Sequence, residues 1–179
     1  MKTGLTVSTL GANFIVALGY ILGGYVGDLL SFPPVDLSPV WPPSGIALAA
    51  LLLYGKRILP GLLAGILIVQ TVSFTETANL SEVLQSFPVV FVISIGSVLQ
   101  ALTGCYLIHR FVGRNDPLLE NRKIIRFFFL GGPLSCLIAP AFGTIALLVS
   151  GQITGSESAF TYSNWWAGDT TGEIGRAHV

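Results

Sequence analysis

Two short stretches hold the residue types that could bind or respond to a ligand. The first is Val40-Trp41-Pro42-Pro43-Ser44-Gly45-Ile46-Ala47, and the second is Trp165-Trp166-Ala167-Gly168-Asp169-Thr170-Thr171-Gly172. Each combines indole rings, small residues and one polar side chain, Ser44 in the first and Asp169 in the second. Aromatic faces with a hydroxyl and a carboxylate suit reversible binding of a small molecule more than bond making. Trp41, Pro42, Pro43, Ser44, Gly45, Trp165, Trp166, Gly168, Asp169 and Gly172 are therefore the candidate signal-sensing residues. Tryptophan also has an interfacial role in membranes. Asp169 is expected within a turn of a helix start, where the helix dipole favours a negative charge, and an acidic group at a membrane edge is a default functional candidate.

Catalytic chemistry finds no support elsewhere. His109 lies beside Arg110 with no carboxylate, cysteine or serine spaced to form a dyad with it. Cys105 and Cys136 sit far apart in apolar runs without a CxxC partner, so they read as membrane-buried thiols and not as a disulfide or metal site. There is no HExxH and no phosphate-cradling glycine loop after a strand. No catalytic residue, cofactor or metal is expected, and a net charge of zero gives no reason to expect a nucleic-acid partner.

The elements that must position these residues are membrane helices. Apolar residues make up 52% of the chain and charged residues 10%, whereas soluble domains carry about 25% charged residues. Such a chain cannot cover a soluble surface, so its solvent is largely the lipid bilayer. Helices are expected at about 5–27, 42–55, 58–73, 87–108 and 124–149, with a sixth starting at 165. The fold class is thus all-α: a polytopic helical bundle with five complete transmembrane helices and the start of a sixth. Pro42, Pro43 and Pro60 fall in first turns, where a missing N–H costs nothing. The second helix would rise only about 20 Å against a hydrocarbon core of about 30 Å, so either its proline-rich approach dips into the membrane or the protein is thin there. Gly19, Gly23 and Gly27, and then Gly61 and Gly65, recur every four residues as stripes for close helix packing. Gly131-Gly132-Pro133 and Ala139-Pro140 should kink the fifth helix.

Charge orients the bundle. Placing the N-terminus in the cytoplasm puts Lys2, Lys56, Arg57, Arg110, Arg114, Arg122, Lys123 and Arg126 inside. The outer loops then hold Asp28, Asp36, Glu76, Glu82 and Glu157 and no base. This is the distribution that the positive-inside rule describes. The remaining base, Arg176, belongs to Glu173-Ile174-Gly175-Arg176-Ala177-His178-Val179, which reads as the translation of a sequencing adapter (GAG ATC GGA AGA GCA CAC GTC). Residues 173–179 are therefore set aside as an artefact, and residues 1–172 are taken as the natural membrane segment.

The stretch Val40 to Ala47, followed by an apolar run, the turn Gly55-Lys56-Arg57 and Pro60-Gly61, resembles the first-type bacterial membrane-associated sensor domain (MASE family). Trp165-Trp166-Ala167-Gly168-Asp169-Thr170-Thr171-Gly172 is similar to that family's second motif, and the likeness spans 1–172. Leu59 departs from it, standing where a tryptophan often precedes the proline. The resemblance implies a multi-pass sensory input domain in the bacterial inner membrane, not itself an enzyme. It further implies a small-molecule or membrane-borne cue and a cytoplasmic output domain in cis, a diguanylate cyclase, phosphodiesterase or histidine kinase. Cyclic di-GMP or two-component signalling would follow. A homodimer is compatible with this role. Two rivals are a secondary transporter, whose sites also use broken helices, and a passive anchor that dimerises its partner.

Overall fold

The computed structural model describes residues 8–31, 38–75, 79–113 and 121–174. Lys2, Pro33, Pro34, Asp36, Glu76, Arg114, Asp116, Glu120 and 175–179 lie outside the described residues. The described chain is all helical: α1 (Thr9–Leu29), α2 (Pro42–Tyr54), α3 (Leu59–Ser73), α4 (Leu80–Phe111), α5 (Asn121–Phe129), α6 (Ile138–Val149) and α7 (Gly155–Ile174).

Four stretches are long and apolar enough to cross a bilayer: Thr9–Leu29, Pro42–Ser73, Leu80–Phe111 and Arg122–Val149. The expected count of five complete spans is not reached, because α2 and α3 rise only about 20 and 22 Å each. The two form a hairpin. Trp41 and Pro43 at the start of α2 meet Gly27 and Gly23 near the end of α1, whereas Gly61 and Gly65 of α3 meet Asn13 and Ala17 near its start. So α2 runs against α1 and α3 runs with it. The reversal depends on Gly55, held at φ 68° and ψ −167°, a region that only glycine enters readily. It depends also on Asn13, which reaches across from α1. Its Nδ2 donates to the Arg57 carbonyl at 3.0 Å and its Oδ1 accepts from the Gly61 N–H at 2.6 Å.

Bilayer solvent explains what each helix shows outward. On α1, Leu10, Phe14, Leu18, Leu22 and Tyr25 are exposed, while Ala12, Val16, Tyr20, Gly23 and Gly27 are buried. In water that outer stripe would be an aggregation liability; against lipid tails it costs nothing. The inner face is small because helices in lipid gain by close approach and not by escaping water. The charged ends segregate as well. Lys56, Arg57, Arg110, Arg122, Lys123 and Arg126 lie on the turn after α2, the end of α4 and α5, and Asp28, Glu82 and Glu157 lie on the opposite ends of α1, α4 and α7.

Three expected boundaries are corrected. Helix α4 begins at Leu80 instead of 87, because the Asn79 side chain accepts from the Glu82 N–H at 3.0 Å and caps a polar first turn. Helix α7 begins at Gly155, not 165. Glu157 reaches back to cap it: its Oε2 accepts from the Thr154 N–H at 2.8 Å and from the Thr154 hydroxyl at 2.7 Å. Its first three turns are polar and read as loop by hydropathy. The fifth segment begins at Asn121 instead of 124 and runs on as one helical stretch to Val149, interrupted at Gly131-Gly132-Pro133 as expected: α5, a wide turn over Leu130–Leu134, a tight turn over Ser135–Leu137, and then α6. Pro133 lies inside the wide turn.

The Asn13 bridge sets an expectation for the hairpin. Asn13→Ala removes partners from the Arg57 carbonyl and the Gly61 N–H, and unfolding in an SDS titration is expected to cost roughly 1–3 kcal/mol less.

Candidate functional site

The two motifs meet along one seam. The chain enters α2 through non-helical backbone at Ser38, Pro39, Val40 and Trp41, and these lie against α7. Such backbone survives inside a membrane protein only where its polar groups find partners. Here α7 and the chain's own side chains supply them. The Trp41 N–H donates to the Gly168 carbonyl at 2.9 Å, the Thr171 hydroxyl donates to the Pro39 carbonyl at 2.7 Å, and the Ser38 hydroxyl donates to the Val40 carbonyl at 2.6 Å. Ser44 Oγ lies 2.9 Å from the Asp169 carbonyl and 2.8 Å from the Trp41 carbonyl.

This approach is the physical reason for the glycines. A Cβ on Gly168 would strike the Ser38 carbonyl, one on Gly172 the Trp41 carbonyl, and one on Gly45 the Gly172 carbonyl. Pro42 and Pro43 open α2 in its first turn, and both face α1: Pro43 contacts the Gly23 position, and Pro42 with the Trp41 ring contacts Gly27. Gly19 looks toward Ile46 at ordinary van der Waals distance.

The three tryptophans have separate tasks. Trp166 Nε1 donates to the Pro133 carbonyl at 2.9 Å, within the wide turn of the fifth segment. The Tyr162 hydroxyl does the same for the Leu137 carbonyl at 3.1 Å. The Trp165 ring packs where Gly143 of α6 has no side chain.

Asp169 is not at a helix start. It lies about four turns into α7, so the N-terminal dipole is not what holds it; an uncapped helix reading of 155–164 as loop had misplaced it. It is buried, and its Oδ2 accepts from Gln100 Nε2 of α4 at 3.0 Å. Gln100 Oε1 in turn accepts the Ala139 N–H at 3.1 Å, at the point where α6 restarts. One amide therefore ties together α4, α6 and α7. Sequence reasoning did not place Gln100 in the site; a lone amide inside an apolar helix was the available signal. Tyr20, Ser97 and Gln100 join Trp41, Ser44, Trp165 and Asp169 around a void of about 10 Å³, room for about one water. Glu173 borders the same void; it is buried, and its Oε2 lies 3.3 Å from the Ser135 hydroxyl.

A larger cavity of about 380 Å³ opens beside this cluster toward the acidic ends of the helices. Its lining includes Asp28, Gln70, Ser73, Gln152, Glu157 and Thr161. Trp41 and Trp165 line both spaces, so the two rings are a partition between the cavity and the buried polar cluster. Its volume falls within the range of small-molecule sites, about 300–1,000 Å³. Glu157 is held below the usual carboxylate range, first by the Thr154 backbone N–H and then by the Thr154 hydroxyl.

The MASE1 family model matches residues 12–174 and so takes in both motifs and the helices between them. The chain belongs to the MASE1 family. MASE1 is a membrane sensory domain family and not a catalytic one, and a multi-pass membrane protein with several apolar helices fits it. No curated protein and no solved structure matches the chain. Elsewhere in this MASE1 domain, Cys136 is buried and Cys105 Sγ lies 3.6 Å from His109 Nδ1. No group of three or more metal-ligating side chains occurs among the described residues.

Gln100→Leu strands both the Ala139 N–H and the Asp169 carboxylate. It is expected to lower stability in detergent by roughly 2–5 kcal/mol. The lipid-facing neighbour Leu99, 40% exposed, should change stability by only about 0.5 kcal/mol when replaced by Met in the same SDS titration.

Proposed function

We propose that this domain is the sensory input of a signalling protein of the bacterial inner membrane, with its N-terminus in the cytoplasm and a cytoplasmic output module in cis. The observation that carries this reading is the shared partition: Trp41 and Trp165 face the 380 Å³ cavity on one side and the Asp169–Gln100 cluster on the other. A cue in the cavity would press on both rings. Trp165 sits on α7 and Trp41 at the head of α2, and those two helices touch closely through Gly45, Gly172 and the Ser44 hydroxyl. A contact of that kind has few intermediate positions, so the ligand would select between two seatings of α7 on α2 by its differential affinity for them. Membership of a sensory family and the segregation of basic from acidic helix ends support the role and the orientation.

The output is a diguanylate cyclase, a phosphodiesterase or a histidine kinase. In a chimera with residues 1–172 joined to a diguanylate cyclase, Asp169→Asn and Trp165→Phe are expected to shift basal cyclase activity and its response at least threefold in vivo. Cyclase output identical to the parent in both variants would refute the site. Replacing the whole segment with unrelated helices should abolish regulation, and retained regulation would favour a passive anchor. The orientation is read by reporter fusion: alkaline phosphatase joined after Gln152 is expected to be active, and joined after Gly113 inactive.

A further inference from the structure

The basic end of the bundle carries a surface that neither the seam nor the outer cavity uses. The apolar run of α6 stops at Val149, before Ser150 and Gly151. Counting about 20 residues, or about 30 Å, back from Val149 along the fifth segment reaches Leu130. Helix α5 (Asn121–Phe129) therefore lies past the hydrocarbon core, at the depth of the lipid headgroups.

The residues of α5 divide by face. Phe127, with Leu130 just after it, packs on Leu48, Ile108 and Val112 and so seats the helix against α2 and α4. The other face carries Arg122, Ile125, Arg126 and Phe129, spaced i, i+3, i+4 and i+7. All four are exposed, Ile125 to 67% and Phe129 to 58%. A purely apolar face belongs among acyl chains and a purely charged one in water. A face that mixes both suits the boundary between them, where apolar side chains meet the tails and guanidinium groups meet the phosphates. Side chains at i and i+4 leave the helix about 6 Å apart, close enough for both guanidinium groups to reach one phosphate, and such pairs are charge-assisted and often bidentate.

Charge selects the headgroup. Neither α5 nor the end of α4 from Gly104 to Phe111 holds an acidic residue. That end of α4 adds the exposed Arg110, whose guanidinium lies 5.5 Å from the centre of the Phe111 ring. A zwitterionic headgroup would bring an ammonium into this positive field, with no carboxylate on either stretch to receive it. An anionic headgroup brings its phosphate alone.

We propose that Arg122 and Arg126 clamp the phosphate of an anionic phospholipid whose acyl chains lie along Ile125 and Phe129, which makes α5 a lipid-binding element of the domain. The proposal needs the depth of α5 and not the orientation of the bundle, and it is independent of what the outer cavity binds.

Native mass spectrometry of the full chain in detergent, titrated with dioleoyl phosphatidylglycerol or dioleoyl phosphatidylcholine, tests it. The first phosphatidylglycerol is expected to bind at least about tenfold more tightly than the first phosphatidylcholine. Arg122→Gln and Arg126→Gln should each weaken phosphatidylglycerol about fivefold and leave phosphatidylcholine unchanged. The double variant Lys56→Gln/Arg57→Gln removes two charges from the same end of the bundle without altering α5, and it should leave phosphatidylglycerol binding within about twofold of the parent. Circular dichroism and thermal unfolding matching the parent show that each variant is folded. Equal affinity for the two lipids overturns the proposal. So does phosphatidylglycerol affinity unmoved in both α5 variants, or lowered as much by the Lys56/Arg57 pair as by either of them. Inorganic phosphate that displaces the lipid at equal concentration would make α5 a site for a free anion and would overturn the lipid.

Discussion

The structure depends on one contact between two backbones. Where the chain turns into α2 it carries peptide groups that no helix satisfies, and it carries them inside the bundle. Each unsatisfied group there would cost several kcal/mol. The cost is removed because α7 presents Gly168 and Gly172 on one face, close enough for Trp41 N–H to reach the Gly168 carbonyl. Glycine is required on both sides, since Gly45 and Gly172 approach until a single methyl group would collide with a carbonyl. The shortness of α2 follows from this. It does not need to reach the outer surface, because α7 covers its entrance.

The broken fifth segment is held by the same device with different groups. In and just after the wide turn that contains Pro133, the carbonyls of Pro133 and Leu137 and the N–H of Ala139 take side-chain partners from other helices. Trp166, Tyr162 and Gln100 supply them from α7 and α4. Trp166, Tyr162 and Gln100 thus act where the backbone is irregular, and Asp169 joins that set through Gln100. The consequence for function is mechanical. The irregular entrance of α2 and the irregular fifth segment are both pinned to α7, so movement of α7 is felt by both. The two indoles that separate the outer cavity from Asp169 sit on that helix and on the entrance it covers.

Several of these features could be read before any coordinates. The prolines at 42, 43 and 60 marked first turns, and they occupy them. The excess of apolar over charged residues required lipid as solvent, and the short α2 required irregular backbone to enter the bundle. Other features were misread for identifiable reasons. Residues 155–164 and 80–86 are polar, and hydropathy does not separate a polar helix beyond the bilayer from a loop. The signals that separate them are the capping pairs Thr154 with Glu157 and Asn79 with Glu82, which are local and were open to reading. Misplacing the start of α7 then supplied a wrong electrostatic account of Asp169, because a dipole argument is only as good as the helix boundary beneath it.

By itself the sequence determined the solvent, the helical class and the segregation of charge between the two ends of the bundle. These depend on composition and on the order of residues along the chain, and no contact is needed to read them. Tertiary structure alone decided which glycines meet which carbonyls, that Gln100 is the partner of Asp169, and that Trp41 and Trp165 stand between two cavities. Contacts of this seam join residues up to 132 positions apart, as Thr171 is from Pro39, and no local pattern records such a pairing. A glycine that lets helices touch looks the same in sequence as one that only turns the chain. What distinguishes them is the atom on the other side.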